Sequence, residues 1–393
     1  SVNKYIVNKM YQIIAKLKRY AYNMLVERRI VIRLKCLKQA NGKNVLVSYL
    51  ISPFLWRLKE DNRFHTNIWE CKEIVTLLLN SGFNVDVIHF RNTSFKPRKK
   101  YFAIIDIHSN LERLAKFVTA DCIKVLHATG SFWLFQNYQE HLRLYNLYVR
   151  KEIALTPMRT VQMSGAKEIC DIATIIGNDT TVRTFGHMSK KFVKIPASEL
   201  IEYNWDGSKD FEKCRKNFLW LGSVGFVHKG LDLVIEAFCK LHEYHLDICG
   251  PIHLEHEFKD AFYKELYESE NIKTWGHVDV SSDTFRKIIN ETIGIVYPSC
   301  SEGTAGSVIV GMHAGLIPIV SKESGVDITE NSGIVLSDCS VEEICIKVRE
   351  IASMNNAQLK KMSHLTWKSA RERYTKKCFS EKYAEFIRNN LIC

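Results

Sequence analysis

Lys229 lies where a lysine could bind a phosphate group. It stands near the end of a glycine-rich segment, residues 222–230 (GSVGFVHKG), between a predicted buried strand at 218–221 and a predicted helix at 231–241. Glycines let a backbone approach an anion closely, and the first turn of a helix presents free amides with a partial positive charge. A lysine beside them adds a point charge that suits a diphosphate. The alternative is that Lys229 is only solvated.

Glu302 occupies a second loop of the same kind. A predicted strand at 293–297 leads into residues 298–307 (PSCSEGTAGS), and a helical pattern covers 307–313. Small residues before a helix can form an anion-binding concavity from their backbone amides. A carboxylate beside a bound phosphate is repelled unless it serves a neighbouring group such as a sugar hydroxyl. The alternative role of Glu302 is to cap the start of the helix.

Together, the strings FLWLGSVGFVHKGLDLVIEAF and PSCSEGTAGSVIVGMHAGLIPIVS resemble, in order and spacing, the two donor-site signatures of retaining glycosyltransferase family 4, the group 1 glycosyltransferases. The resemblance implies the GT-B fold and a nucleotide diphosphate sugar as donor. It implies that Lys229 binds the diphosphate, that Glu302 binds the donor sugar, and that the amides of residues 304–307 hold phosphate and sugar. The backbone of His277 and Val278 would line the base. The implied catalytic residues are Glu302 and Lys229, and the implied donor-binding residues are Gly222, Ser223, Lys229, Gly230, Gly250, His277, Val278, Ser299, Glu302, Gly303, Thr304, Ala305, Gly306 and Ser307.

Two positions depart from the family pattern. Family members commonly carry Arg directly after the glycine of the first strand, where this chain has Ser223, and a second Glu eight residues after the first, where it has Val310. A cation for the diphosphate and a carboxylate for the ribose are therefore missing, each an ionic hydrogen bond worth roughly 1.5–3 kcal/mol. Because Lys229 and Glu302 are retained, we expect an active enzyme. The alternative is a catalytically weakened nucleotide-sugar or glycan-binding protein of the same fold.

The first half of the chain offers candidates for the acceptor or sugar side of a cleft. The strings HTNIWE, ATGSFWLFQN and IATIIGNDTTVRTFG resemble a polysaccharide-biosynthesis branch of the same family. Polar and aromatic groups after a strand suit sugar recognition, because aromatic faces can stack on pyranose rings. A histidine at a strand end can equally be a structural residue, and that alternative stays open. The acceptor-side candidates are His65, Thr66, His127, Thr129 and Gly130, with Asn178 and Arg183 as weaker ones.

The resemblance implies transfer of a hexose or related sugar from a UDP- or GDP-sugar to a hydroxyl of a glycan or glycolipid. Lys229 and helix-end amides would stabilise charge on the leaving diphosphate, so no metal and no cofactor are expected. No Asp-x-Asp motif is placed to bind a divalent ion there. Anomeric configuration would be retained by same-face attack, with the leaving phosphate accepting the proton. A dehydrogenase is disfavoured, because residues 49–54 contain no Gly-x-Gly-x-x-Gly motif.

Short apolar runs that alternate with helical patterns position these motifs. The first series of predicted strands begins at Asn44 and ends at Ile195, and the second begins at Phe218 and ends at Leu336. Apolar strands separated by helices are typical of parallel sheets covered on both faces. The pattern predicts an α/β chain of two Rossmann-like, doubly wound domains that face each other across a cleft. The predicted domains are residues 41–203 for the acceptor, with a final helix 377–393 packing back on them, and residues 204–376 for the donor.

The formal net charge of +12 is concentrated at the amino-terminal end. Residues 1–40 contain ten Lys or Arg and one Glu, which leaves +3 for the rest of the chain. We therefore expect no nucleic-acid partner. Apolar residues at helical spacing within 5–25 predict a basic amphipathic helical leader that binds an anionic membrane surface, assisted by Arg98, Lys99 and Lys100. Packing of this helix on its own domain or on a dimer partner is the alternative.

Composition and cysteines set the remaining expectations. The chain has 393 residues, 46% of them hydrophobic, and no apolar run approaches the roughly 20 residues that a membrane span needs. Its twelve cysteines are scattered without a Cys-x-x-Cys pair, which predicts small core residues and a reducing compartment. We expect a cytoplasmic protein, peripheral on the cytoplasmic membrane face if the leader binds lipid.

Overall fold

Two α/β domains follow one another along the chain. The computed structural model describes residues 26–36, 41–55, 66–186, 191–199 and 201–392. Each domain has its own sheet of mainly parallel strands covered by helices. The predicted fold class of two Rossmann-like domains is therefore confirmed. Most of the predicted leader, including all of 1–25, lies outside the described residues, as does His65.

The sheet of the first domain has seven described strands in the order β1-β3-β2-β4-β5-β6-β7. These strands are β1 (Val31–Leu34), β2 (Asn44–Tyr49), β3 (Asn84–His89), β4 (Ala103–Asp106), β5 (Ile123–Ala128), β6 (Ile172–Ile176) and β7 (Phe192–Ile195). Strand β1 pairs antiparallel with β3, and the other pairs are parallel. Residues 31–34, predicted as part of the helical leader, form an edge strand instead, because β-branched Val31 and Ile32 fit a pleated, half-buried surface.

The described helices of the first domain differ greatly in length. They are α1 (Thr66–Asn80), α2 (Asn110–Leu114), α3 (Trp133–Lys151), α4 (Ala166–Ile169) and α5 (Asp179–Thr184). Helix α3 contacts the second domain. Near its end, Arg150 Nη2 donates to Asp232 Oδ2 of the second domain at 2.7 Å. Side chains of α3 are thus available to a site between the domains.

The sheet of the second domain has six described strands, all parallel, in the order β10-β9-β8-β11-β12-β13. These strands are β8 (Asn217–Leu221), β9 (His245–Cys249), β10 (Ile272–Gly276), β11 (Gly294–Tyr297), β12 (Ile317–Val320) and β13 (Ile334–Val335). The strand order reverses between β8 and β11. In doubly wound sheets a ligand crevice opens at the carboxyl ends of the strands at such a point. The loops after β8 and β11 therefore leave the sheet side by side.

The remaining helices cover the second sheet, and the last of them returns to the first domain. They are α6 (Phe211–Cys214), α7 (Leu231–Lys240), α8 (His256–Ala261), α9 (Tyr263–Tyr267), α10 (Asp283–Glu291), α11 (Gly306–His313), α12 (Val341–Ser353), α13 (Asn356–Arg373) and α14 (Lys376–Leu391). On α14, the Phe379 ring lies 5.6 Å from that of Trp69 on α1, and the Tyr383 ring lies 5.5 Å from that of His127 on β5. Helix α14 thus ties the end of the chain to the first domain.

Two further features of the described residues are the absence of a membrane-spanning helix and the state of the cysteines. Within the described ranges, no helix is both long and apolar enough to cross a lipid bilayer. None of the eleven described cysteines forms a disulfide, and seven of them are buried. Those seven serve as small core side chains, as their apolar surroundings in the sequence predict.

Candidate active site

Lys229 and Glu302 lie together in the crevice between the two domains. Lys229 is in the loop between β8 and α7, and Glu302 is in the loop between β11 and α11. Because β8 and β11 are neighbours where the strand order reverses, the two loops meet at one edge of the sheet. Lys229 Nζ is 3.7 Å from Glu302 Oε1. The two residues that the motifs single out form one ion pair.

The Glu302 carboxylate sits in positively charged surroundings. Its Oε1 accepts a hydrogen bond from the Tyr297 hydroxyl at 3.2 Å. Burial alone would raise the pKa of Glu302. The positive charges of Lys229, His228 and Arg159 outweigh burial and lower that pKa. Glu302 is therefore an ionised acceptor that can bind a hydroxyl group of a ligand.

The Lys229 side chain is almost fully buried, and the residue is 4% exposed. Burial lowers the pKa of Lys229, the Glu302 carboxylate opposes that shift, and the Arg159 charge adds to it. At 3.7 Å the Lys229–Glu302 contact is longer than a hydrogen bond, so neither group saturates the other. An ammonium group in this position retains donors for the oxygens of an anionic ligand.

The amino-terminal end of α11 adds backbone donors beside the ion pair. Within the described part of the chain, the amides of Gly306 and Ser307 have no acceptor, and a Cβ added at Gly306 would meet no atom within 4 Å. The Ala305 amide instead donates to the Ser324 carbonyl at 2.8 Å. Of the amides predicted to hold phosphate, that of Ala305 is thus occupied, and those of Gly306 and Ser307 remain available. Thr304 is half-buried and lines a different groove.

Two glycines of the motifs have packing roles. Gly230 has a φ of +73°, and a Cβ there would lie 2.5 Å from the Pro298 carbonyl oxygen. A Cβ at Gly303 would lie 2.6 Å from the Thr129 carbonyl oxygen and 2.7 Å from the Ile176 carbonyl oxygen of the first domain. Gly230 therefore lets the two motif loops touch, and Gly303 lets the second loop touch the first domain.

The remaining predicted donor residues differ in their access to a ligand. Gly222 and Gly250 follow β8 and β9, and both pack against the Trp220 ring. Ser299 is fully buried, and its carbonyl oxygen accepts a hydrogen bond from the Ser321 hydroxyl at 2.6 Å. Its side chain is thus not accessible to a ligand, contrary to its predicted donor contact. Ser223 and His277 are exposed, and Val278 is half-buried.

Val310 lies where the family pattern has a second glutamate. It is 7% exposed and belongs to an apolar cluster that includes Leu219, Leu221 and Ile295. An apolar side chain packs well there, whereas a carboxylate would be buried without a partner. The structure thus accounts for valine as a packing residue, and Val310 offers nothing to a ribose.

A pocket of about 230 Å³ opens beside the ion pair, between the two domains. Thr129 and Gly130, predicted for the acceptor or sugar side, line it together with Arg159 and Glu302. The neighbouring Ser131 hydroxyl donates to the Glu302 backbone carbonyl at 2.8 Å. A ligand in this pocket would contact residues of both domains.

His127 does not reach this pocket. It is fully buried, its Nδ1 lies 2.8 Å from Thr174 Oγ1, and its ring packs edge-on against Tyr49 and Tyr383. Burial lowers the pKa of His127 to about 3, so the ring is neutral. Successive side chains of a strand point to opposite faces of the sheet, and the neighbours of His127 along β5 are those that line the pocket. His127 is therefore a structural residue of the core and not a cleft residue.

The other first-domain candidates lie outside the pocket. Thr66 is the first residue of α1 and is half-buried. Asn178 caps α5, since its side-chain oxygen accepts hydrogen bonds from the Thr180 and Thr181 amides at 2.9 and 3.2 Å. Arg183 is exposed on the same helix. Capping accounts for Asn178 without a ligand.

Glu140 and His228, which no motif singled out, form an interdomain clamp next to the site. His228 Nδ1 lies 2.6 Å from Glu140 Oε2 on α3, and His228 Nε2 lies 2.6 Å from the Ser301 carbonyl oxygen. Burial alone would lower the pKa of His228, but its hydrogen bonds with Cys300 and Glu140 outweigh burial and raise the pKa to about 9. The ring is therefore an imidazolium that donates from both nitrogens. In the sequence, the position of His228 next to Lys229 could have marked it as a site residue. No sequence feature marks Glu140.

The clamp also contains potential metal ligands. In the described part of the chain, one group of three is close enough to share an ion: ligand atoms of Glu140, His228 and Cys300 lie within 4.8 Å of one another. Both ring nitrogens of His228 already lie at hydrogen-bond distance from oxygen acceptors. A metal ligand needs an unprotonated nitrogen, so this group fits a protonated clamp better than a metal site.

Residues 215–354 match the family model described as "Glycosyl transferases group 1". The match lies in the second domain and includes both Lys229 and Glu302. A comparison with curated proteins finds no match. The resemblance of the donor motifs to group 1 glycosyltransferases is thereby confirmed.

Solved structures share the two-domain architecture. Sucrose-phosphate synthase from Thermosynechococcus elongatus has a TM-score of 0.61 at 13% identity, over 88% of this chain and 98% of that one. HepE from Anabaena in complex with UDP and glucose has a TM-score of 0.55 at 12% identity, over 88% and 99%. WaaG, a glycosyltransferase involved in lipopolysaccharide biosynthesis, has a TM-score of 0.51 at 15% identity, over 87% and 99%. At these identities the likeness establishes the fold, which is GT-B.

Proposed function

We propose that the protein is a retaining glycosyltransferase that transfers a hexose or related sugar from a UDP- or GDP-sugar to a hydroxyl of a glycan or glycolipid. The observation that carries the proposal is the Lys229–Glu302 pair at the interdomain pocket, 3.7 Å apart, beside the free amides of Gly306 and Ser307. A cation and helix-end amides suit a diphosphate, and an ionised carboxylate suits a sugar hydroxyl. The family match over residues 215–354 supports the same chemistry.

The proposed reaction exchanges one bond at the anomeric carbon for another. The bond from C1 of the sugar to the diphosphate oxygen breaks, and its electron pair leaves with the nucleoside diphosphate. A bond from C1 to the acceptor oxygen forms on the same face, and the acceptor proton passes to the leaving phosphate. Lys229 and the two amides offset the developing charge, so neither a metal nor a cofactor is required. Glu302 holds a sugar hydroxyl, and the closed domain contact limits hydrolysis by water.

The acceptor would enter over the first-domain wall of the pocket. Thr129 and Gly130 lie at that wall, and Trp133 also lines the pocket. An aromatic face beside polar backbone groups suits a sugar ring. We therefore assign Thr129 and Gly130 to the acceptor or sugar side.

Substitution of the ion pair tests the proposal. Lys229→Ala and Glu302→Ala should each lower turnover by roughly 10²-fold or more, because each removes a group that acts on the reacting centre. The measurement is release of UDP or GDP from a panel of nucleotide sugars, supported by thermal stabilisation of the protein by UDP or GDP.

Lys209→Ala is the matched control. Lys209 is a half-buried lysine of the second domain, and its Nζ donates to the Ile289 carbonyl at 2.8 Å, away from the pocket. Its loss should weaken the fold and leave turnover by the folded protein near normal. Near-normal turnover in both Lys229→Ala and Glu302→Ala would refute the proposal.

A second candidate function is binding of nucleotide sugars or glycans without transfer. Ser223 and Val310 favour it, because the first is an exposed neutral side chain and the second a core residue. A binding protein would be stabilised by UDP or GDP but would show no donor turnover with any acceptor. Measured turnover in the panel above excludes this candidate.

We further propose that the protein works at the cytoplasmic face of a membrane. Five cationic side chains line one groove of the first domain: Arg29, Arg33, Lys96, Arg98 and Lys99. One acidic residue, Asp86, also lines it and pairs with Lys99 at 3.1 Å. Each cation close to an anionic lipid surface contributes about 1 kcal/mol of binding energy. Co-sedimentation with vesicles of phosphatidylglycerol, but not of phosphatidylcholine alone, is the expected result, and deletion of residues 1–30 should weaken it. Unchanged vesicle binding after that deletion would show that residues 1–30 do not contribute to membrane binding.

A further inference from the structure

We infer that Arg159 of the first domain binds the diphosphate of the sugar donor, as a second cation beside Lys229. The inference rests on the proposed function, because it names a contact that a nucleoside diphosphate would make. Arg159 lies in the loop between α3 and α4, about 60 residues before the first donor motif, and no sequence pattern singles it out.

The backbone of Arg159 is held firmly by α3. Its amide donates to Glu140 Oε1 at 3.0 Å, and its carbonyl oxygen accepts a hydrogen bond from Gln136 Nε2 at 2.6 Å. Glu140 uses its other oxygen, Oε2, to bind His228 at 2.6 Å. The interdomain clamp therefore fixes the loop of Arg159 and the loop of Lys229 relative to each other.

The side chain of Arg159 crosses to the second domain. A Cβ added at Gly225, in the loop after β8, would lie 2.4 Å from Arg159 Cγ and 2.7 Å from its Cδ. Gly225 therefore leaves the space that the arginine stem occupies. Any other residue at 225 would displace the stem, and the φ of +93° there also favours glycine.

The guanidinium group reaches the pocket and lacks a full set of partners. Arg159 lines the pocket beside Glu302, and its charge acts electrostatically on both Glu302 and Lys229. Its Nε is buried and has no hydrogen-bond acceptor in the described part of the chain. A buried donor without a partner is costly. Burial and the Arg159 charge also lower the pKa of Lys229, whereas Glu302 and Glu255 raise it. An anion bound in the pocket would accept from the Nε donor and would lie beside both cations.

This arrangement divides the diphosphate contacts between the domains. Lys229 and the α11 amides belong to the second domain, and Arg159 belongs to the first. When the C1–oxygen bond breaks, the electron pair moves onto the diphosphate, and cations on both sides stabilise it. The Arg159 contact exists only while the domains are together, so separation of the domains would also weaken the hold on the released nucleoside diphosphate.

Binding measurements on matched variants test the inference. The full chain and its Arg159→Gln, Arg159→Lys and Lys151→Gln variants are titrated with UDP and GDP by calorimetry, and with uridine and guanosine by ligand-observed NMR. Arg159→Gln should weaken binding of the preferred diphosphate by roughly 10- to 100-fold, the usual range for a lost charged hydrogen bond. Binding of the nucleoside should stay within twofold, and Arg159→Lys should restore most of the lost affinity.

Lys151→Gln controls for loss of an interdomain charge as such. Lys151 Nζ lies 3.8 Å from Glu265 Oε1 of the second domain, outside the pocket. This variant should bind the diphosphate as the unchanged protein does. Undiminished diphosphate binding by Arg159→Gln, or an equal loss for nucleoside and diphosphate, overturns the inference and leaves the proposed function standing. An unchanged protein that binds neither UDP nor GDP overturns both.

Discussion

His228 and Lys229 are neighbours in one loop, yet their ion pairs differ in length and in exposure to solvent. His228 lies 2.6 Å from Glu140, and the two side chains are 1% and 3% exposed. Lys229 lies 3.7 Å from Glu302, and those side chains are 5% and 14% exposed. The first pair is short, closed to solvent and joins the domains. The second is longer and borders a pocket.

This difference indicates that the Glu140–His228 pair is structural and that the Lys229–Glu302 pair is suited to bind a ligand. Removal of two charges from water is costly, and a buried pair repays that cost only with short contacts and complete hydrogen bonds. The Glu140–His228 clamp meets this condition, since the Ser301 carbonyl satisfies the second ring nitrogen at 2.6 Å. The Lys229–Glu302 pair does not meet it by itself. An incoming diphosphate and sugar would complete its contacts.

The largest expected effect follows from removal of one partner of the clamp. Glu140→Ala leaves the His228 imidazolium buried without its carboxylate, and the Met158 and Arg159 amides lose their acceptor. We expect the free energy of unfolding to fall by about 3–5 kcal/mol. Urea unfolding followed by tryptophan fluorescence measures the change.

Glu381→Ala serves as the control for this variant. Glu381 pairs with Lys377 on α14 at 3.8 Å, and the two side chains are 67% and 81% exposed. An exposed pair of this kind contributes less than about 1 kcal/mol. Equal losses in Glu140→Ala and Glu381→Ala would remove the distinction between the clamp and a surface ion pair.

The contribution of the clamp to stability should also depend on pH, with a smaller effect than that of Glu140→Ala. The pKa of His228 is raised to about 9 in the folded protein, against roughly 6.5 in an unfolded chain. The stabilisation is fully present below pH 6.5 and is lost as the pH rises through 9, a change of about 3 kcal/mol. Comparison of the unchanged protein with His228→Gln between pH 6 and 10 isolates this contribution. Parallel stability curves for the two proteins would show that the histidine carries no such charge.

The smallest expected effect concerns the ligand-facing Lys229–Glu302 pair. Ser223 is exposed at the mouth of the crevice, so Ser223→Arg adds a cation without a packing conflict. Binding of UDP or GDP should tighten roughly 2- to 10-fold, with the unfolding free energy unchanged. Ser353→Arg, which adds the same charge on an exposed residue at the end of α12, should leave binding unchanged. Tightening by both variants would mean that only the net charge matters.

Sequence patterns predicted the fold class and singled out Lys229 and Glu302, because these predictions depend on short-range features. Only the structure shows that the two side chains form an ion pair. The alternation of apolar strands and helices predicts two parallel sheets, and the loops around Lys229 and Glu302 are each contiguous in the chain. The predictions that fell short depend on features outside such segments. His127 was assigned to the cleft although strand alternation turns it into the core, and the Ala305 amide was assigned to phosphate although Ser324 already accepts its hydrogen bond.

The sequence by itself determined the two sheets, the glycine-rich loop of Lys229, the small-residue loop of Glu302, and their place after buried strands. Only the tertiary structure decided which first-domain groups reach those loops. Glu140 and Arg159 come to the site because α3 packs against the second domain, and the packing of whole elements depends on surfaces far apart in the chain. The clamp and the Arg159 contact are long-range juxtapositions, so no local pattern of residues carries them.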